Sequence, residues 1–130
     1  MELTSKWEMV SSDNYGEYLK AVGVGMIQRN LAEKAIPTEE LTATDGRYKL
    51  TISTPLKKTE VSFSLGEPVD TTSFDGRAIN VTFVRDGNKL IEVQKTRGDA
   101  ATITRDYGET GMTATYTAKG VTATRVFKRL

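Results

Sequence analysis

Turn signals recur about every ten residues over most of this chain, a spacing that leaves room for ordinary strands but not for helices of three or more turns. They are Asp45-Gly46, Leu65-Gly66, Asp75-Gly76, Asp86-Gly87-Asn88, Arg97-Gly98-Asp99, Gly108 to Gly111 and Lys119-Gly120, and the runs between them are rich in Thr, Val and Ile. Gly, Asp and Asn tolerate the backbone angles of tight hairpins, while β-branched residues suit a pleated sheet. The pattern predicts strands at roughly 38–44, 47–54, 58–64, 68–73, 77–85, 89–95, 100–107, 112–118 and 121–128, with one more over Ser5 to Ser12. Strands joined in sequence by hairpins make an antiparallel up-and-down sheet. One this long is expected to close, or nearly close, on itself and so lose its exposed edges.

One stretch departs from that rhythm. Between Asn14 and Ala35, the residues Tyr15, Tyr18, Leu19, Val22, Met26, Ile27, Leu31 and Ala35 recur at helical spacings of three and four. Asp13 or Asn14 is placed to cap the first helix, Gly23-Val24-Gly25 breaks the stretch in two, and Pro37 ends it. The expected fold is therefore all-β: a ten-stranded antiparallel up-and-down barrel of two orthogonal sheets, capped by a short helix-turn-helix lid over about 14–35. At 130 residues the chain suits a single domain, 1–130.

Composition removes many functions. The 18 basic and 17 acidic residues leave a net charge of +1, so no global field draws the protein to nucleic acid. With no Cys and no His, the chain lacks thiol nucleophiles, imidazole bases and the commonest metal ligands, and no metal or cofactor is expected. Carboxylates fall mostly at turns or on positions read as solvent-facing, so no inward acid–base pair is expected and the protein is read as a non-enzyme. The start Met1-Glu2-Leu3-Thr4-Ser5-Lys6-Trp7 has neither the basic nor the apolar region of a leader, which points to the cytoplasm.

Alternation near the C-terminus locates the chemistry. In the run 121–128, Val121, Ala123, Arg125 and Phe127 share one face; in 101–107, Ala101, Ile103, Arg105 and Tyr107 do so; between them Met112, Ala114, Tyr116 and Ala118 do the same. Arg105 and Arg125 thus point into the apolar side. Either Arg alone is equally consistent with a surface residue on an imperfectly alternating strand, but two with matching parity favour the interior. Guanidinium groups stay protonated, and a buried charge without a partner costs several kcal/mol. The same-face neighbours of these two include no obvious acid, although Glu92 or Asp106 could reach Arg105 across the sheet. A guest carboxylate would accept a fork of hydrogen bonds from them while its tail covers the apolar wall.

With these residues in view, the chain resembles the intracellular lipid-binding proteins, the cytosolic fatty-acid-binding and retinoid-binding family. The similarity lies in the stretch Lys6 to Gly25, in Lys58-Thr-Glu-Val-Ser-Phe-Ser-Leu-Gly66, Phe74-Asp-Gly-Arg77, Gly87-Asn-Lys-Leu90 and Ala123-Thr-Arg-Val-Phe127. The resemblance implies a large, partly hydrated cavity and a carboxylate site in which Arg105 and Arg125 match the family's two cations. Phe127 stands where the family usually has Tyr, leaving Tyr116 or water to complete the site. Tyr15, Leu19 and Pro37 match lid and wall positions, Leu56 a portal position, and Asp75 and Arg77 polar positions near the ligand's tail. The implied function is a monomeric carrier of one long-chain fatty acid in the cytoplasm, with a nuclear location also compatible with the resemblance; retinoic acid or another hydrophobic acid is the alternative. A protein-interaction β module is the rival from outside the family. Lys20, Arg29 and Lys34 on the lid suit transient contact with anionic membranes, and equally an ordinary solvated helix face.

Overall fold

Hairpin chemistry sets the register. Asp45 and Gly46 both have positive φ, 52° and 77°, as do Lys119 and Gly120 at 49° and 78°. Two successive left-handed residues make the tight turn whose twist matches paired strands. Thr44 is thereby paired with Arg47, and Ala118 with Val121.

The computed structural model describes residues 4–96 and 100–130. The expected turn at Arg97-Gly98-Asp99 and the first three residues of the chain lie outside these. The elements are β1 (Ser5–Asp13), α1 (Tyr15–Ala21), α2 (Met26–Lys34), β2 (Thr38–Thr44), β3 (Arg47–Thr54), β4 (Lys57–Ser64), β5 (Val69–Thr72), β6 (Ala78–Asp86), β7 (Lys89–Lys95), β8 (Ala100–Tyr107), β9 (Gly111–Ala118) and β10 (Val121–Arg129). The all-β barrel with its helical cap is borne out, strand by strand. β1 pairs with both β2 and β10, and its register slips between Met9 and Ser11, leaving Val10 turned out.

Closure is nearly complete, as expected. The sheet runs β4-β3-β2-β1-β10-β9-β8-β7-β6-β5, so β4 and β5 remain edges with no ladder between them. Side chains fill that seam, around a cavity of about 30 Å³ lined by Thr59, Val61, Thr71 and Thr72 among others.

Consecutive hairpins alternate between the two ends of a meander, so the helices share one end with the turns around 55, 75 and 119. The opposite end is packed solid. Tyr48 stacks on Phe63 at 5.4 Å between ring centroids and Phe63 on Phe83 at 3.8 Å, while Trp7 leans on Tyr107 at 5.7 Å. Met112 and Phe127, paired across β9 and β10, complete this base.

The helices differ from expectation in two respects. Asn14 has the left-handed backbone of a helix entry, but its side chain does not cap α1; its Nδ2 donates instead to the Thr122 carbonyl on β10 at 3.0 Å. Met26, Ile27 and Leu31, spaced as a buried stripe, are 67%, 75% and 54% exposed, and α2 contributes no buried residue. α1 does bury Tyr15, Tyr18 and Leu19. It ends where Gly23, at φ +91°, lets its own N–H reach the Lys20 carbonyl and the Val24 N–H reach that of Leu19. That pairing of the last carbonyls holds Val24 against Leu19 and finishes the helix.

Truncating the base should be costly and truncating the rim should not. Phe63→Ala is expected to lose about 3–5 kcal/mol, whereas Leu56→Ala, at a side chain 91% exposed, should change stability by less than about 0.5 kcal/mol. Urea-unfolding midpoints measure both.

Candidate functional site

Register brings the two inward cations into one row. Arg105 of β8 and Arg125 of β10 both sit directly opposite Ala114 of β9. Two strand spacings separate their backbones, on the order of 10 Å, and the methyl of Ala114 leaves the space between them open. Arg105 is 1% exposed and Arg125 2%.

Their surroundings differ, and of the two acids raised from sequence as partners for Arg105, Glu92 is the one that reaches it. Arg105 is paired with acids: its Nε donates to Glu39 Oε1 at 2.8 Å and its Nη1 to Glu92 Oε1 at 2.7 Å. Glu92 lies on the neighbouring strand β7, opposite Ile103 and so diagonal to Arg105, whereas Glu39 reaches from β2 across the lumen. Burial opposes the Arg105 charge, but Glu39 and then Glu92 outweigh it and hold the proton more firmly than in free arginine. Glu39 and Glu92 are themselves buried, which corrects the expectation that carboxylates stay at the surface. The chain continues: Gln94 Nε2 donates to Glu92 Oε2 at 2.7 Å, and Arg77 Nη2 donates to Gln94 Oε1 and to Asp75 Oδ2, each at 2.8 Å.

Arg125 has no acid. Its Nε donates to Ser12 Oγ at 3.0 Å, the residue facing it on β1, and its guanidinium carbon lies 3.4 Å from the centre of the Tyr15 ring. Its Nη2 is buried with no hydrogen-bond partner, and so is the hydroxyl of Tyr18. These are the only two such side-chain atoms among the described residues, and both residues line the same central cavity.

That cavity is small, about 40 Å³, against the large one the resemblance implies. A second, about 270 Å³, opens between α2 and the turns around Leu56 and Phe74. Tyr15, Phe74 and Asp75 border both, so they form the partition between entrance and centre. Lys57 spans the entrance rim, donating from Nζ to the Phe74 carbonyl and lying 5.2 Å from the centre of its ring.

Of the residues singled out from sequence, Arg105, Arg125, Tyr15, Tyr116, Pro37 and Asp75 meet at the central cavity. Leu56 lines only the entrance, and Arg77 stands behind Asp75, joined to it at 2.6 Å. Phe127 belongs to the packed base and Leu19 to the underside of the lid; neither lines the central cavity or the entrance. Tyr18, Glu39 and Phe74 line the centre without having been anticipated, and Glu92, raised only as a cross-sheet partner of Arg105, lines it too. Tyr18 had a signal, being one helical turn after Tyr15; Glu92 shares parity with Leu90 and Gln94, but nothing in β7 says which face is inward. Among the described residues no group of three or more acids is placed to hold a metal, and no helix is long and apolar enough to cross a membrane.

Comparison with known proteins agrees with this geometry. The family described as "Lipocalin / cytosolic fatty-acid binding protein family" matches residues 4–130. A fatty acid-binding protein of Tyrophagus putrescentiae is 38% identical, over 99% of this chain and 98% of its own. The structure of the REP1-NXSQ fatty acid transporter superposes with a TM-score of 0.93 at 37% identity, covering 98% of this chain and 96% of that one. A Schistosoma mansoni fatty acid binding protein in complex with arachidonic acid superposes at 0.94 with 26% identity, covering 98% and 95%.

The phenols yield a test of the buried site. Burial, partly offset by Arg125, pushes Tyr15 from its ordinary 10.0 up to about 12, and burial raises Tyr18, Tyr107 and Tyr116 as well. A pKa raised by folding stabilises the native state below the unfolded value and is lost as pH climbs through the folded one. Stability should hold to about pH 10 and collapse toward about pH 12. Phenolate absorbance and loss of strand circular dichroism should then rise together; full ionisation of all the phenols with the fold intact would contradict the burial.

Proposed function

The chain belongs to the lipocalin / cytosolic fatty-acid binding protein family, a family of non-enzymatic carriers, and on that footing we propose that it binds one lipid monocarboxylate, in the first place a long-chain fatty acid, with its headgroup at Arg125. The observation that carries this reading is the pair of unpartnered buried donors, Arg125 Nη2 and Tyr18 Oη, on one cavity. Hydrogen bonds to charged groups contribute about 1.5–3 kcal/mol each, and an acid oxygen satisfies donors that are otherwise left dry. The inward Arg pair divides the work: Arg125 takes the carboxylate directly, while Arg105 is already serving two acids and fixes the wall beside it.

The tail supplies most of the energy. Each methylene moved from water to an apolar wall yields roughly 0.8 kcal/mol, so a dozen yield on the order of 10 kcal/mol, from which association and ordering remove several. It runs from the centre past Phe74 to the entrance, so the Tyr15–Phe74 partition shifts and the two cavities merge on binding. Retinoic acid would use the same headgroup contact. The carrier works as a cytoplasmic monomer.

Unloading uses the lid. Met26, Ile27 and Leu31 stand exposed on α2, and Leu56 stands exposed across the entrance. Lys20 and Lys34 are exposed beside them, while Arg29 is engaged with the Val24 carbonyl at 2.7 Å. This surface fits brief contact with an anionic bilayer.

Two measurements decide. Arg125→Ala should weaken binding of oleic acid about 10- to 100-fold and leave methyl oleate nearly unchanged; equal losses for acid and ester would remove the headgroup assignment. Transfer of a fluorescent fatty acid to phosphatidylserine vesicles should quicken with vesicle concentration and slow with salt, and Lys20→Glu with Lys34→Glu should slow it several-fold. A rate indifferent to vesicles and salt would eliminate the membrane contact.

A further inference from the structure

We propose that Glu39 and Glu92, by closing Arg105, limit the headgroup to a single negative charge, so that this carrier takes a monocarboxylate and rejects a phosphate monoester on the same hydrocarbon chain. The inference rests on the placement of the headgroup at Arg125 and adds to it which anions the site refuses. Its basis is the charge inventory around the central cavity.

Three cations, Arg77, Arg105 and Arg125, face three acids, Glu39, Asp75 and Glu92. Asp75 is bound to Arg77, at 2.6 and 2.8 Å. Arg105 is held by two acids at once, so the group Glu39–Arg105–Glu92 carries one net negative charge. Of these cations Arg125 alone has no acid, and it is the one left for a guest anion to pair. A guest carboxylate neutralises Arg125 and leaves no cation without a partner. A second negative charge on the same headgroup would face the buried Glu39 and Glu92 with nothing to pair it, and like charges in a buried site repel more than in solution. The site thus excludes by repulsion as well as selecting by attraction.

Arg105 would otherwise be the natural second cation. It stands in the same row as Arg125, opposite the same alanine, and a guanidinium fork is suited to a phosphate. What withdraws it is the pair of acids, one from the adjacent strand and one from the far wall. Replacing either by Gln keeps an oxygen that accepts the Arg105 hydrogen bond but deletes the charge.

The test compares oleic acid, methyl oleate and oleyl phosphate by displacement of a dansyl fatty acid at neutral to slightly alkaline pH, where an alkyl phosphate is largely dianionic. The wild-type protein should bind oleic acid at least tenfold more tightly than oleyl phosphate. Glu92→Gln and Glu39→Gln should each narrow that gap at least fivefold, with thermal melts confirming that the variants fold, while Glu60→Gln, at an exposed acid of β4, should leave it unchanged. Wild-type protein that binds the phosphate as well as the acid overturns the proposal without any variant, and so does an unchanged gap in both folded variants. The two readings fail separately: absence of an acid-over-ester preference in the wild type removes the headgroup at Arg125, whereas a preserved preference with no discrimination against phosphate removes only the charge limit.

Discussion

A buried cation shared by two acids from opposite sides of the barrel is the constraint around which this interior is arranged. Arg105 joins Glu92 on the next strand to Glu39 across the lumen. Taking such groups from water is costly, and the pairing returns that energy only when the geometry is good and further hydrogen bonds complete it. Gln94, Arg77 and Asp75 provide those bonds, extending the polar chain from the centre to the turn that rims the entrance. A purely apolar filling of the same space would be at least as stable by this accounting. The polar chain therefore makes sense as a site: it fixes the walls while leaving one cation, Arg125, unmatched.

The division of the barrel into a packed base and a polar upper half follows from the same arrangement. Stacked rings at Tyr48, Phe63 and Phe83, with Trp7 and Tyr107, supply the apolar burial that offsets the cost of burying four charged groups, Glu39, Glu92, Arg105 and Arg125. Phe127 lies in that base, facing Met112 and Met9, which is why the missing hydroxyl at this position leaves no defect. Tyr15 and Tyr18 of α1 and Tyr116 of β9 line Arg125's cavity, and of these the Tyr18 hydroxyl is buried without a partner. The lid is accordingly part of the site as well as its cover, since Tyr15 stacks on Arg125 and Asn14 is tied to β10.

The element order was legible in the sequence because turns and alternation are local. Asp45-Gly46 and Lys119-Gly120 need positive φ and obtain it, and the two-residue period of β8, β9 and β10 identifies the face of Arg105, Tyr116 and Arg125 without any knowledge of the partner strands. Resemblance to a family then supplied the barrel, the lid and the expectation of a carboxylate site. Local pattern misled where a periodic stripe had nothing to cover it: Met26, Ile27 and Leu31 repeat as a core face does, yet α2 lies over the entrance and leaves them in solvent.

What the chain determined by itself is therefore the meander, its helical interruption and the presence of two inward cations, all set by neighbours within a few residues. Which of those cations is free was decided only by the folded barrel. Glu39 and Arg105 are 66 positions apart in sequence, and their strands, β2 and β8, are not hydrogen-bonded to each other. No local period can encode a contact across the lumen, because its existence depends on the curvature that brings non-adjacent walls of one sheet face to face.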